Sequence, residues 1–417
     1  MRTNSAQPAL ANRGNKLADR GGLLREFVHR LPLMPPVEIS RELEIQGYKG
    51  QSRQRAALAL MAYRHVRRLK RIHVDGEPRD NLPPKQNILM VGPTGCGKTY
   101  LVELLFEQIL GVPTIILDAT NFTERGYVGD DVSTMLTRLV EKSQGDASFA
   151  ACGVVCLDEF DKLASSSSNA RFAGQGTTKD VSGYGVQREL LTLIEGTDAL
   201  APMDYGFSGQ GPRLGLSTKD IPFIACGAFS GLEVSRSQIA KKIGFGDRTG
   251  NQPEASVMQD VAVFQRYGFM PELIGRFTQI LTFPPLDRET LRTILLENVL
   301  PRFQSEFRGE GIDLRVTDEA LSHIVGQAAA RDTGARGLQA ELVRIVEQAA
   351  FETFMQQRNV VLTITTEDGM LTCVQARDAS RERPTSSKSV KSYGGGLSLA
   401  DDGVDTPVAE TGDMVDE

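Results

Sequence analysis

A glycine-rich loop at residues 92–99 constrains the fold of this chain more than any other feature of its sequence. The loop reads GPTGCGKT, follows the apolar run from Asn87 to Val91, and precedes the helical pattern YLVELLFEQIL. A short apolar run bounded by turn residues is typical of a buried strand. Because glycines between a strand and a helix let backbone N–H groups turn inward at the positive helix end, the loop predicts a phosphate site.

All eight residues of this loop are candidates for binding a nucleotide. We expect Lys98 to reach the β- and γ-phosphates of ATP and the hydroxyl of Thr99 to bind Mg²⁺, so ATP and Mg²⁺ are the predicted cofactors. The predicted nucleotide-binding residues of the loop are Gly92, Pro93, Thr94, Gly95, Cys96, Gly97, Lys98 and Thr99.

Two adjacent carboxylates follow a second apolar run about sixty residues later. Val154 to Leu157 predict a buried strand, and Asp158 and Glu159 come directly after it. Ligands of open α/β sheets bind at the carboxyl ends of the strands, where these side chains would lie. We expect Asp158 to hold Mg²⁺ through water and Glu159 to orient or deprotonate the water that attacks ATP, which predicts hydrolysis.

Strand-like runs and helical patterns alternate through the middle of the chain. Apolar runs at 114–117, 154–157 and 221–225 are interleaved with a helical face from Val132 to Val140. This alternation is typical of an α/β fold, a mostly parallel sheet between helices. Beyond Pro285, helical patterns followed by two short strand-like runs predict a smaller, helix-rich domain.

The predicted domain boundaries follow these changes in pattern. The predicted units are a flexible basic arm (1–35), a large ATPase domain (36–285), a small domain (286–376) and a disordered acidic tail (377–417). The tail is rich in Ser, Gly and Asp and has few large apolar residues, so it cannot offset the entropy of ordering.

Composition narrows the class of protein further. The net charge of −6 argues against nucleic acid as a partner, and no apolar run is long enough for a membrane span. The five cysteines form no C-x-x-C pair, so we expect no zinc and a reducing, cytoplasmic compartment. The basic N-terminus leaves the mitochondrial matrix as a minor alternative.

These two motifs belong to a longer series, and the whole series resembles one family along most of the chain. The motifs, in order, are GPTGCGKT, DATNFTERGYVGDD, CLDEFDK, KDVSGYGVQRELLTLIEGT, CGAFSGL, IGFG, PELIGRF and TGARGL. Their order and spacing resemble the ClpX-type AAA+ protein unfoldases of the Clp/HslU family, over roughly residues 36–375. The resemblance implies a P-loop AAA+ large domain, a small domain, and a ring of six identical subunits that hydrolyses ATP and threads proteins through its centre.

The resemblance also implies roles for two arginines. Arg276 matches the arginine finger that is offered to the ATP of an adjacent subunit. Arg336 matches the sensor-2 arginine, which binds nucleotide and couples its state to the angle between the domains. Together with Lys98, Asp158 and Glu159, they complete the predicted catalytic set.

Three loops match loops through which the family contacts proteins. Gly126, Tyr127, Val128 and Gly129 match the pore loop that grips unfolded or tagged substrate proteins. The segment 165–179 occupies the place of the second pore loop. Ile243, Gly244 and Phe245 match the tripeptide that docks on a ClpP-type peptidase, and an apolar pair in a polar segment suits such an anchor.

The sequence departs from the family pattern at four places. The four-Cys zinc domain and the basic RKH loop of relatives are not matched, which leaves recognition through them without support. Cys96 replaces the usual serine of the phosphate loop, and its thiol is expected to be tolerated. Tyr184 replaces a glutamate near the second pore loop, and no role is assigned to the sensor-1 position around Cys226.

Three alternative functions stay open at this point. A remodelling chaperone would use the same motor without a peptidase. A nucleic-acid motor or loader would need Lys or Arg in its pore loop to contact phosphates, whereas Tyr127 and Val128 suit peptide side chains. A nucleotide-controlled scaffold would not need the carboxylates Asp158 and Glu159.

Overall fold

The structure is a computed structural model. It describes residues 21–123, 130–164, 183–202, 213–232, 261–331, 333–355, 360–377 and 391–394. The two predicted pore loops and the predicted docking tripeptide therefore lie outside the described residues. By contacts, the chain divides into two units, Met1–Pro301 with Val325–Gln339, and Arg302–Ile324 with Ala340–Glu417.

A five-stranded parallel sheet forms the centre of the first unit. Its order is β2-β5-β8-β1-β9, and each neighbouring pair is parallel. The strands are β1 (Ile88–Val91), β2 (Thr114–Asp118), β5 (Val154–Asp158), β8 (Phe223–Gly227) and β9 (Gln279–Thr282). The predicted parallel α/β fold is thus confirmed, while β9, a partly exposed edge strand, was not predicted from its short apolar signal.

Residues of β1 alternate between two hydrophobic cores, one on each face of the sheet. Leu89 and Val91 belong to one core, and Ile88 and Met90 belong to the other. Because successive side chains of a strand point to opposite faces, a strand that is buried throughout needs cover on both sides. Helices supply that cover, as the alternating sequence pattern predicts.

Helices precede, interrupt and follow the strands of this sheet. In chain order they are α1 (21–30), α2 (Pro36–Ile45), α3 (Ser52–His73), α4 (Lys98–Val102), α5 (Thr134–Lys142), α6 (Ala147–Ala150), α7 (Tyr184–Glu195), α8 (Val261–Tyr267), α9 (Pro271–Ile274) and α10 (Arg288–Ile294). π-Helical turns at Glu103–Ile109 and Leu295–Val299 extend α4 and α10. Two short pairs complete the unit, β3 (Phe122–Thr123) with β4 (Asp130–Asp131), and β6 (Asp198–Pro202) with β7 (Arg213–Ser217).

Helix α1 differs from the flexible arm that we expected through residue 35. Val28 and Leu31 are buried in a core of the sheet, and the ring of Phe27 lies 5.0 Å from that of Phe149. Lys70 also donates hydrogen bonds to the carbonyl oxygens of Val28 and His29. The apolar residues here recur at helical spacing, so burial fixes a segment whose charge alone indicated disorder.

The second unit contains a four-stranded sheet and packed helical segments. The sheet has the order β10-β11-β12-β13, with β10 (Ile312–Val316), β11 (Val360–Glu367), β12 (Met370–Arg377) and β13 (Lys391–Gly394). Strand β13 lies inside the segment 377–417, for which we expected no order. The helices near this sheet in the chain are α11 (Leu300–Gly309), α12 (Asp318–Ala330) and α13 (Gly334–Thr353). The rings of Phe307 and Phe354 meet edge to face within this unit.

None of the described helices is long and apolar enough to cross a membrane.

Candidate nucleotide-binding and hydrolysis site

The phosphate loop runs from the end of β1 into α4, and its glycines are required by close contacts. Gly95 and Gly97 have φ angles of +80° and +89°, which side chains rarely adopt. A Cβ atom on Gly95 would lie 2.2 Å from the carbonyl oxygen of Thr333, and one on Gly92 would lie 2.4 Å from that of Phe283. The neighbouring backbone therefore shapes the loop as tightly as its own conformation does.

Lys98 is buried and points its ammonium group at the inside of the loop. Its Nζ donates to the carbonyl oxygens of Gly92, at 2.7 Å, and of Pro93, at 2.9 Å. It also lies 3.8 Å from the Sγ atom of Cys96. A cation held by neutral carbonyls in this position fits the negative charge of a phosphate group.

Thr99 and Asp158, 59 residues apart in the chain, meet at the carboxyl end of β5. The Oγ1 atom of Thr99 donates to Oδ2 of Asp158 at 2.6 Å. A hydroxyl and a carboxylate are the hard oxygen ligands that Mg²⁺ prefers, with phosphates and water completing its shell. Within the described residues, no cluster of three or more His, Cys, Asp or Glu side chains could hold a metal, so a Mg²⁺ site here would rest on these two oxygens.

Glu159 is exposed directly beyond the sheet, in an unusual backbone conformation. Its φ angle is +51°, and its N–H donates to Oδ1 of Asp158 at 2.9 Å. A non-glycine residue held in this region costs on the order of 1 kcal/mol or more, and such strain concentrates at functional sites. This hydrogen bond, which Asp158 accepts, helps to hold the backbone that projects the Glu159 carboxylate away from the core.

A buried tyrosine beside the loop has a hydroxyl without a partner among the described residues. Tyr48 Oη forms no hydrogen bond with any residue that the structure describes, although Tyr48 is only 3% exposed. Its ring lies 3.2 Å from where a Cβ on Gly97 would stand, and it stacks on Tyr100. Burial raises the pKa of the Tyr48 hydroxyl, with Cys96 adding to the rise, so this group stays a neutral donor. An orphan donor against the phosphate loop fits a polar ligand such as a nucleotide.

The segment 333–335, which leads into α13, contacts the phosphate loop directly. The N–H of Ala335 donates to the carbonyl oxygen of Gly95 at 3.1 Å. Gly334, with a φ angle of +55°, allows this approach, because a Cβ there would lie 2.5 Å from the same oxygen. Arg336 is exposed and directly follows Ala335 in the chain. Since Ala335 binds the phosphate loop, this predicted site residue lies near the loop.

Arg276 lies at the exposed surface just after α9. Its guanidinium forms an ion pair with Glu195, at the end of α7, and both side chains are about half exposed. The buried amide of Asn87 donates to the carbonyl oxygen of Arg276 at 3.1 Å and accepts from the N–H of Phe223 at 3.0 Å. The backbone of Arg276 is thus fixed to the central sheet while its side chain reaches outward.

Sequence reasoning missed a second buried amide that ties the site together. Gln187, fully buried on α7, donates to the carbonyl oxygens of Leu163, at 2.8 Å, and Gly268, at 3.1 Å. It also accepts the N–H of Met270 at 2.8 Å. Gln187 therefore joins the segment that follows Glu159 to the one that precedes Arg276. A glutamine on an otherwise apolar helix face was the available signal.

A buried carboxylate was missed in the same way. Asp161 is 5% exposed, and its Oδ1 accepts the N–H of Ala228 at 3.1 Å, just beyond β8. It lies two residues after Glu159, in the short 3₁₀ helix Phe160–Leu163. The contact fixes the segment that follows Glu159 to the end of β8, the strand that carries the predicted sensor-1 position.

The cysteines of the site are core residues. Cys226, at the predicted sensor-1 position, is fully buried, with its Sγ 3.8 Å from that of Cys156. Burial raises the pKa of the Cys96 thiol, and the charge of Lys98 opposes this rise. Since thiolates are the reactive form, a raised pKa and 2% exposure make Cys96 a poor target for oxidation.

A phosphate loop, a strand-end Asp–Glu pair and a second segment on the loop together define an ATPase of the AAA+ class. The family described as "AAA domain (Cdc48 subfamily)" matches residues 83–280, and the "C-terminal, D2-small domain, of ClpB protein" matches residues 286–364. Neither matching family describes a peptidase.

Similarity to individual relatives identifies the family within this class. It is 38% identical to the ATP-dependent Clp protease ATP-binding subunit ClpX of Azotobacter vinelandii, over 76% of this chain and 74% of that protein. The ClpX 3 subunit of Methylococcus capsulatus is 35% identical over 89% of this chain and 88% of its own length. The ClpX subunit of Treponema denticola is 35% identical over 78% and 79%. The chain belongs to the ClpX family, the ATP-dependent unfoldases of the AAA+ class.

Proposed function

We propose that this ATPase assembles into a ring of six identical subunits, unfolds proteins and threads them through the ring. The observation that carries this proposal is the contact of Thr99 with Asp158, next to the exposed carboxylate of Glu159. It places the groups expected to bind Mg²⁺ and to activate water at one end of one sheet. Hydrolysis at that point can drive movement of the segments attached to it.

Each residue of the site has a distinct part in hydrolysis. Lys98 exchanges the carbonyl oxygens that it now binds for phosphate oxygens, and Thr99 and Asp158 hold Mg²⁺. Bound Mg²⁺ supplies a Lewis acid that polarises the phosphoryl oxygens. Glu159 accepts a proton from the attacking water, a contribution that is typically worth 10²–10⁴-fold in rate.

Arg276 is proposed to act on the ATP of a neighbouring subunit. Its side chain is half exposed, and its backbone is fixed through Asn87. An arginine supplied from outside a nucleotide site stabilises charge in the transition state of phosphoryl transfer. Arg336 is proposed to contact the nucleotide of its own subunit, since the neighbouring Ala335 already binds Gly95.

The grip on substrate is proposed to come from Tyr127 and Val128. These residues lie between Thr123 and Asp130, and β3 and β4 pair side by side, so the two ends of the segment are anchored together. Strand β4 leads into α5, which packs on β2 of the ATPase sheet. This connection supports the proposal that hydrolysis moves the loop.

Delivery to a peptidase of the ClpP type is proposed from the names of the relatives, which are subunits of a Clp protease. Ile243, Gly244 and Phe245 are the proposed docking tripeptide. Phe245→Ala should abolish co-sedimentation with the peptidase ring while the rate of ATP hydrolysis stays within twofold. Unchanged association would favour the peptidase-independent remodeller.

Mixed rings test the shared ATP site. Arg276→Ala and Glu159→Gln should each hydrolyse ATP at least 100-fold more slowly than the unmodified chain. In a random mixture, about a quarter of the interfaces would combine an intact Glu159 with an intact Arg276 from the neighbour. We therefore expect mixing to restore roughly that share of the ATPase rate. No recovery, with mixed assembly shown by cross-linking, would contradict an arginine that acts between subunits.

A further inference from the structure

A cavity of about 340 Å³ lies at the end of the central sheet opposite to the phosphate loop. One wall is α3, and the other is the segment 82–86 that leads into β1, with Pro222 before β8. The phosphate loop follows the carboxyl end of β1, so the two sites lie at opposite ends of the strands. Nothing in the proposed ATPase mechanism uses this cavity.

The helical wall of the cavity carries a row of arginines. Arg64, Arg67, Arg68 and Arg71 line it, and their spacing of three and four places them on one face of α3. No Asp or Glu is among the residues that line the cavity. In a chain with a net charge of −6, such a concentration of cations opposes the overall charge. Lys and Arg side chains near the carboxyl end of a helix also interact favourably with the helix dipole. That interaction does not explain why these arginines line a cavity.

Two of these arginines are already paired and two are not. Arg68 binds Asp220 and the carbonyl oxygen of Pro83, and Arg71 binds Glu77. Arg64 and Arg67 are exposed, and neither forms an ion pair with any residue that the structure describes. Their guanidinium groups remain available to an anion from outside the chain.

Lys85 adds a buried positive group to the opposite wall. It is 9% exposed, its Nζ donates to the carbonyl oxygen of Thr218 at 2.7 Å, and it lies 4.9 Å from the ring centre of Phe223. Burial lowers its pKa to about 7, while Asp220 opposes and Arg68 adds to this shift. An anion in the cavity would favour the protonated form of Lys85.

Apolar side chains line the cavity between these cations. They are Met61 of α3, Leu82, Pro83 and Pro84 of the opposite wall, and Pro222, so a ligand would meet both cations and aliphatic surface. A bare inorganic anion uses only the cations. A peptide with carboxylates spaced along aliphatic or proline residues uses both.

We propose that this cavity binds an acidic peptide segment of a partner protein. Arginines three and four residues apart on a helix lie about 5–6 Å apart at Cβ, and alternate residues of an extended peptide lie about 6.6 Å apart. Glutamates at every second position can therefore reach successive arginines of α3. The site would recruit a partner to the ATPase independently of the proposed threading function.

Fluorescence anisotropy with a labelled peptide, Glu-Val-Glu-Pro-Glu-Val-Glu, tests the proposal. We expect saturable binding to the full chain with or without ATP, and loss of binding when every Glu is replaced by Gln. Arg64→Glu/Arg67→Glu should weaken binding at least tenfold and leave the ATPase rate unchanged. The matched variant is Arg302→Glu/Arg308→Glu, which reverses two exposed arginines of α11 and should change binding by less than twofold.

Three results would overturn the proposal. Equal weakening by both double variants would show only a response to net charge. Tighter binding of a single-stranded oligonucleotide with the same number of charges would make nucleic acid the ligand. Peptide binding that appears only after removal of residues 395–417 would assign the cavity to the chain's own acidic segment.

Discussion

Lys98 illustrates how a single residue depends on its surroundings at this site. The residue is 8% exposed and its ammonium is held by two loop carbonyls, so it is fixed before any phosphate arrives. We expect Lys98→Ala to abolish ATP binding, because the β- and γ-phosphates lose their cation. Titration with a fluorescent ATP analogue measures this. Lys219→Ala, which removes an exposed lysine, is the control and should bind normally; normal binding by Lys98→Ala would contradict the site.

Residues joined by a local motif could be located from the sequence, and residues joined by distant contacts could not. The spacing within the phosphate loop located Lys98 and Thr99, and the strand-end rule located Asp158. Gln187 was missed because its partner Gly268 lies 81 residues away, so no local pattern reports the bond. Tyr48 was missed because it lies beside Gly97 of the phosphate loop, far from it in the sequence, and no local pattern indicates that proximity.

Helix α7 supports both halves of the proposed catalytic machinery through Gln187. Gln187→Ala leaves the N–H of Met270 and two carbonyl oxygens without their partner, which should cost about 2 kcal/mol of unfolding free energy. It should also lower kcat for ATP hydrolysis more than it raises KM, because the segment before Arg276 loses its support. Gln348→Ala, at an exposed position of α13, should change neither quantity.

The conservative variant separates support of the site from general stability. Gln187→Glu in its protonated form, which burial favours, keeps one acceptor and one donor, so it should keep the bond from the Met270 N–H and recover part of kcat. A Gln187→Ala enzyme that is destabilised but has unchanged kcat would contradict the positioning role.

Helix α3 makes the stability of the first unit sensitive to acid through His65. The ring Nε2 of His65 lies 3.0 Å from the carbonyl oxygen of Cys152, and burial lowers its pKa to about 4. The pKa of an unfolded histidine is about 6.5, so the unfolded state takes up a proton first as the pH falls. The contribution of His65 to stability is therefore constant above pH 6.5 and falls between pH 6.5 and 4, by about 1 kcal/mol per pH unit.

Urea unfolding at pH 7.5 and pH 5.5 tests this dependence. His65→Gln keeps an N–H donor for Cys152 but does not titrate, so it should lose less stability over that interval than the unmodified chain. His73, whose pKa is also lowered by burial, contributes to the slope in both proteins. Equal losses in the two proteins would contradict the assignment to His65.

Elements were predictable where burial imposes a clear period, and less so elsewhere. The fully buried strands β1 and β8 read as continuous apolar runs, and α12 lies among the helical patterns predicted beyond Pro285. Edge strand β9 was missed because exposed positions interrupt its apolar run. Helix α1 was missed because its charged residues obscure the apolar pattern. Both are held by the rest of the fold.

For the whole molecule, the order of the elements was predictable because strand–helix alternation allows few parallel arrangements. The loops that would contact proteins are a different case. Tyr127, Val128 and Phe245 lie outside the described residues, so their roles rest on motif and family. The arginine-lined cavity on α3, by contrast, lies within the described residues, so the role proposed for it rests on its geometry.

The function proposed for the whole molecule is the unfolding of proteins, driven by ATP hydrolysis and transmitted through Tyr127. The most direct measurement follows the fluorescence of a stable tagged fluorescent protein, incubated with the full chain, ATP and a co-purified peptidase. We predict a loss of fluorescence that requires ATP, is absent for Glu159→Gln, and is lost for Tyr127→Ala although that variant still hydrolyses ATP. Unfolding by Tyr127→Ala at the unmodified rate, or active hydrolysis with no unfolding by the unmodified chain, would contradict the claim.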